Sequence, residues 1–143
     1  MADPRLSVSF EDVEAVYASF KIDNSTITYS ATSSGGAAAT MIDHAVTLSA
    51  AGTVALAADA EQVVGKLIKV ESDNMAVVQI KGGMTLPGGS GASLTLGKAI
   101  VGDLDTAAKG HIREVNTADV DEVGRARGII VDAGTTTAVQ VIL

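Results

Sequence analysis

The sequence predicts a mainly β protein: a compact, barrel-like domain of short strands, preceded by an N-terminal arm with one short helix. Three observations support this. From Ala45 onward, apolar and polar residues alternate in short runs bounded by turn residues. Thirteen of the fifteen glycines follow residue 50, as many short strands joined by tight turns require. All four aromatic residues, Phe10, Tyr17, Phe20 and Tyr29, fall within the first 29 positions. Aromatic rings supply large, rigid apolar contact area, so their confinement to one end sets that end apart.

Residues 9–21 carry the helix signal. Phe10, Val13, Val16/Tyr17 and Phe20 recur at helical spacing, Ser9 stands at the cap position, and Glu11 and Asp12 suit the positive first turn. Four apolar side chains on barely three turns do not hold an isolated helix in water, so the stripe must dock on its own domain, a sister subunit or a foreign surface. Leu6, Val8 and Phe10 alternate, so a short strand is expected to lead into this helix. Asp23-Asn24-Ser25-Thr26 reads as a turn and Ile27-Thr28-Tyr29 as a brief extended segment. Residues 33–39, Ser-Ser-Gly-Gly-Ala-Ala-Ala, have linker composition. The expected division is therefore an arm over residues 1–40 and a β domain over residues 41–143.

In the β domain, Val46 and Leu48 alternate with polar neighbours, Ala51-Gly52 marks a turn, and Val54 and Leu56 alternate again. Residues 66–71 and 75–81 are strands around the turn Ser72-Asp73-Asn74. A glycine-rich connection surrounds Met84-Thr85-Leu86. Further short strands are expected at residues 94–96, 98–101 and 111–115, and a final pair at 128–132 and 137–143 around Ala133-Gly134-Thr135. The 66–81 and 128–143 hairpins echo each other, each a glycine-led aliphatic strand, a polar turn and a strand carrying Val-Gln.

Composition narrows the function. The chain has 143 residues, enough for one domain with a real core, and 47% apolar residues argue against wholesale disorder. A net charge of −7 with no basic run argues against nucleic-acid binding. The absence of cysteine removes disulfides, thiolate metal sites and thiol catalysis. The first residues lack the basic and apolar regions of a signal peptide, and no uninterrupted apolar run is long enough for a transmembrane helix. Asn24-Ser25-Thr26 matches a glycosylation sequon, which without a secretion signal is read as chance.

Catalytic patterns are sparse. His44 follows Asp43, and neighbouring strand residues point apart rather than forming an acid–base pair. His111 lies in an expected strand. Both are read as ordinary surface or strand histidines. Asp119-Val120-Asp121-Glu122-Val123-Gly124 only begins like a calcium loop: Val123 replaces an acidic ligand and no closing Glu follows. It and Asp103-Leu104-Asp105 are read as solvated acidic turns. Between Gly91 and Gly97-Lys98 the spacing is one residue too long for a phosphate loop, and Ala99 stands where Ser or Thr would hold magnesium. No Gly-x-Ser-x-Gly elbow occurs, and the β domain has no rings for stacking RNA bases. No enzyme activity, cofactor or metal is expected.

Val64-Gly65-Lys66-Leu67-Ile68, Val77-Val78-Gln79-Ile80, Leu96-Gly97-Lys98-Ala99-Ile100-Val101, Ala126-Arg127-Gly128-Ile129-Ile130-Val131 and Val139-Gln140-Val141-Ile142-Leu143 together give residues 52–143 a recognisable pattern. This stretch resembles the capsid decoration (cement) proteins of tailed bacteriophages. The resemblance implies a β-tulip-like domain, synthesis in the host cytoplasm, placement on the outer surface of the virion head, the major capsid protein as partner, and a homo-oligomer, with a trimer favoured. It implies neither nucleic acid nor membrane as partner. The arm lies outside the pattern. Phe10, Val13, Tyr17, Phe20 and Tyr29 are the expected partner contacts, because buried aromatic anchors carry much of the energy of an interface. The alternatives are another particle-associated structural protein, such as a head-fibre base or tail accessory, and a small non-catalytic ligand-binding β domain.

Overall fold

The computed structural model describes residues 14–135 and 137–143. Strands β1 (Val16–Ile22), β2 (Ala45–Ala50), β3 (Thr53–Leu56), β4 (Gly65–Val70) and β5 (Met75–Lys81) close into a barrel in the order β1-β3-β2-β4-β5. Strands β6 (Gly83–Leu86), β9 (Ile129–Thr135) and β10 (Ala138–Ile142) form a separate sheet in the order β6-β10-β9. Strands β7 (Ile100–Asp105) and β8 (Ala108–Glu114) pair as a ribbon, and a short helix, α1 (Val120–Arg125), precedes β9. The expected mainly β, barrel-containing fold is the one observed.

Two aliphatic cores result. One fills the barrel and contains Ile22, Ile27, Val46, Val54, Leu67 and Val78. The other lies between the barrel wall, the ribbon and the C-terminal sheet, around Met84, Leu86, Ile100, Ile112, Ile130, Val139 and Val141. Strand β2 serves both: Val46 enters the barrel while its neighbour Ala45 enters the second core, and both are fully buried. Successive strand residues point to opposite faces, so a strand packed on both faces loses the simple polar alternation. Each large aliphatic side chain fully buried contributes roughly 1.5–3 kcal/mol relative to exposure.

The expected helix is corrected. Val16–Ile22 is strand β1, antiparallel to β5 with Tyr17 opposite Gln79, Ser19 opposite Val77 and Lys21 opposite Met75. The segment carries both periods, since Ala18, Phe20 and Ile22 also alternate with Tyr17, Ser19 and Lys21. Barrel pairing decides between them, because Ile22 is buried and Phe20 packs on the barrel core. The N-terminal part of that helix, and the strand expected around Leu6, Val8 and Phe10, lie outside the described residues.

The division at residue 40 is also corrected for the described residues. Ile27 and Ala37 belong to the barrel core together with Val46 and Val54. The segment read as a linker is packed structure: it forms a 3-10 turn at Ser34–Gly36 and buries Ala37. Gly36 is required there. Its φ is 76°, and a Cβ would lie 1.8 Å from the Val70 carbonyl oxygen. Residues 27–29 and 94–96 are not strands. Asp103-Leu104-Asp105 is not an acidic turn but the end of β7.

The turn after β1 is held by its own side chains. Asp23 accepts hydrogen bonds from the backbone N–H groups of Ser25, Thr26 and Ile27 and from the Thr26 hydroxyl. Thr26 Oγ1 in turn accepts from the Leu56 N–H at 2.9 Å, tying the turn to β3. Burial raises the Asp23 carboxyl, but the hydrogen bonds from Thr26, Ile27 and Ser25 together leave it below its ordinary value.

Candidate functional site

The expected contact residues separate in space. Tyr17 points outward from β1 and is 49% exposed, beside Val16 at 45%. Val16 pairs with Lys81 at the end of β5. Leu48, 51% exposed, pairs with Val54 of β3, and Val54 lies beside Ile22 at the far end of β1. Val16 and Tyr17 therefore form an exposed apolar pair at the start of β1, apart from Leu48. Tyr29 is partly exposed at the opposite end, where its ring approaches Gly36 near Val70. Phe20 turns inward against the barrel core and is a packing residue. Phe10 and Val13 lie outside the described residues. The seven residues of β1 span roughly 20 Å, so Tyr17 and Tyr29 do not serve one compact groove.

A cleft of about 340 Å³ opens between the barrel and the C-terminal sheet, with Asp43, His44, Lys66, Thr85 and Thr137 in its lining. Lys66 has a side chain only 9% exposed, and its Nζ lies 3.6 Å from Asp43 Oδ1. Asp43 and His44 point to different partners, since His44 Nδ1 is 2.8 Å from the Ile42 carbonyl oxygen. The carbonyl can only accept, so Nδ1 carries the proton. This cleft can hold a small polar molecule. Among the described residues, no three His, Cys, Asp or Glu side chains are grouped to hold a metal ion.

His44 and His111 meet, which their separation in sequence does not suggest. Their ring centroids are 5.2 Å apart and the planes nearly perpendicular. His111 is buried, its Nδ1 has no hydrogen-bond partner, and its Nε2 is 4.0 Å from Asp105 Oδ2. Burial lowers the proton affinity of His44, the Ile42 carbonyl opposes this, and the neighbouring His111 lowers it further.

The strongest ionic cluster centres on Arg113 of β8. Its guanidinium forks onto the Glu122 carboxylate, with Nη1–Oε2 at 2.9 Å, and donates through Nε to Asp59 at 3.0 Å. Glu122 is 4% exposed and also accepts from the Asn116 N–H. The Arg113 bonds hold its carboxyl below the ordinary value against the opposing effect of burial. The expected solvated acidic turn is therefore corrected: it is a capped helix with a buried, paired carboxylate. Asp119 caps α1 by accepting from the Asp121 and Glu122 N–H groups. The signal was present as Asp119 followed three residues later by Glu122, a variant of the capping box. Glu122 spends its carboxylate on Arg113 instead of the cap N–H.

Arg127 joins the two halves without a carboxylate. Its guanidinium donates to the carbonyls of Val63, Val64 and Ile80. Comparison with known proteins gives no match to any family model, curated protein or solved structure.

Proposed function

We propose that the protein is a structural component of a virus particle, a capsid decoration protein that binds the outer surface of an assembled tailed-phage head and stabilises it by bridging capsomers. The observation that carries this reading is the exposed apolar pair Val16 and Tyr17 at the start of β1 on a small closed barrel. Exposed aromatic and aliphatic side chains gathered on a rigid scaffold are suited to docking on another protein. The expected contacts Phe10 and Val13 precede this pair in the sequence. The sequence pattern of residues 52–143 supports the same reading.

Such a protein acts through binding alone. A ligand that prefers the assembled, expanded lattice to loose subunits shifts the equilibrium toward the intact shell. Modest contacts suffice when several linked copies bind together, because linkage raises the effective concentration. Each buried ring adds roughly 1.5–3 kcal/mol by area.

Purified particles provide the test. The protein is expected in stoichiometric ratio with the major capsid protein, on the head surface by labelled imaging, and its removal is expected to reduce the resistance of heads to heat. Presence only in the soluble fraction of infected cells would overturn the proposal. The cleft containing Lys66 favours a second reading, a small-molecule-binding domain; a screen of small anions and polar metabolites that raises the melting temperature would support it.

A further inference from the structure

We propose that the His44–His111 contact is an acid-sensitive latch, holding the tip of the β7–β8 ribbon on the barrel when His44 is neutral and releasing it when His44 takes up a second proton. The latch sits on a close backbone approach. The Gly110 N–H donates to the Ala57 carbonyl at 2.7 Å, which docks the ribbon against the residue following β3. Gly110 has φ 94°, and a Cβ there would lie 2.9 Å from His44 Cβ. The imidazole of His44 thus packs against the ribbon backbone, and the two rings meet edge to face across the seam.

A neutral His44 suits this arrangement. His44 Nδ1–H is satisfied by Ile42, which leaves Nε2 without a proton. A second proton on His44 places charge at a seam where the neighbouring ring is buried and offers no counter-charge. The charged groups around the pair supply little. Asp43 favours a charged His44, but it is engaged by Lys66 of β4 and its effect is the smallest acting on the ring. Asp103 of β7 lies 4.0 Å from Arg113 of β8. Asp105 of β7 is 58% exposed and no closer than 4.0 Å to His111 Nε2. Lys109 and Arg113, two residues either side of His111, are themselves cations.

Opening the tip returns the His44 ring to water, so the open form binds a proton there more readily and acid shifts the balance toward it. The base of the ribbon stays attached. Gly102 exchanges backbone bonds with Ala60 and Glu61, and Arg113 holds Asp59. The opening is therefore confined to residues 105–110.

Amide hydrogen exchange on the full chain tests this, with rates corrected for the intrinsic effect of pH. Gly110 is expected to lose about tenfold in protection between pH 7 and pH 5, in line with the gain from one proton taken up on opening, while Val78 in the barrel keeps its protection. In the variant H44Q/H111Q the Gly110 protection is expected to be flat with pH. An unchanged Gly110 in the wild type, an equal fall at Val78, or the same pH dependence in the variant would each overturn the latch. Imidazole NMR of the wild type provides a check free of folding effects. The Gly110 amide shift is expected to follow the His44 titration, and a His44 titration that leaves Gly110 unmoved contradicts the proposal.

Discussion

In the barrel, strands β1–β5 enclose an aliphatic core, and the ion pairs found there, Lys66–Asp43 and Lys69–Glu71, each include a well-exposed partner. In the C-terminal half, the ribbon and α1 are joined by Arg113 to a carboxylate that is almost wholly buried. Surface pairs contribute roughly 0–1 kcal/mol, whereas removing one partner of a buried pair costs about 3–5 kcal/mol because the other charge is left stranded. The barrel is thus held chiefly by burial of apolar area, and the C-terminal half additionally by charge. The two regions should respond differently to substitution and to pH.

The largest effect is expected from Arg113→Ala. It strands Glu122 and removes the link to Asp59, so a loss of about 3–5 kcal/mol is expected in denaturant unfolding. Arg113→Lys should recover only part, since one ammonium cannot reproduce the fork. The contact also predicts acid sensitivity. Glu122 has a folded-state value below its ordinary 4.5. Its contribution is therefore complete above about pH 4.5 and is lost as pH falls through the folded-state value. A melting-temperature profile of wild type should fall in that window, and the Arg113→Ala profile should fall less. Parallel profiles would remove the buried pair from the account.

Substitutions on β1 sharpen the contrast between core and surface. Phe20→Ala, on the inward face, is expected to cost about 2 kcal/mol. Tyr17→Ala, on the outward face, should stay within about 0.5 kcal/mol in folding and weaken particle binding instead. A Tyr17 variant that unfolds as readily as the Phe20 variant would place Tyr17 in the fold rather than the contact surface. The smallest effect is expected from His44. Its lowered folded-state value makes its contribution complete above about pH 6.5, with a decline as pH falls below that.

Much of the β architecture is legible in the sequence because local signals agree with tertiary context. The β4–β5 hairpin forms around Ser72-Asp73-Asn74, with Asn74 at positive φ and Asp73 accepting from the Met75 N–H. The β9–β10 pair, the second of the echoing hairpins, forms where the same pattern recurs. Residues 16–22 were harder, because helical and strand periods overlap in Val-Tyr-Ala-Ser-Phe-Lys-Ile and only pairing with β5 separates them. The small residues at 33–39 have the composition of a linker, yet their size is what lets the chain pass close to Val70. The Arg113–Glu122 and His44–His111 contacts join elements through the fold, and no local pattern announces either pairing. The exposed pair on β1 is legible in part: Tyr17 reads as a contact from the clustering of the aromatic residues, but Val16 reads as part of a helical stripe until pairing with β5 makes the segment a strand.

The claim that the Val16–Tyr17 surface docks on a phage head is tested most directly by sedimentation with heads that lack this protein. Wild-type protein should pellet with expanded heads, while a folded Val16→Ser/Tyr17→Ala variant, matched in melting temperature, should remain largely in the supernatant. Wild-type protein that stays in solution, or a variant that pellets equally well, would contradict the account.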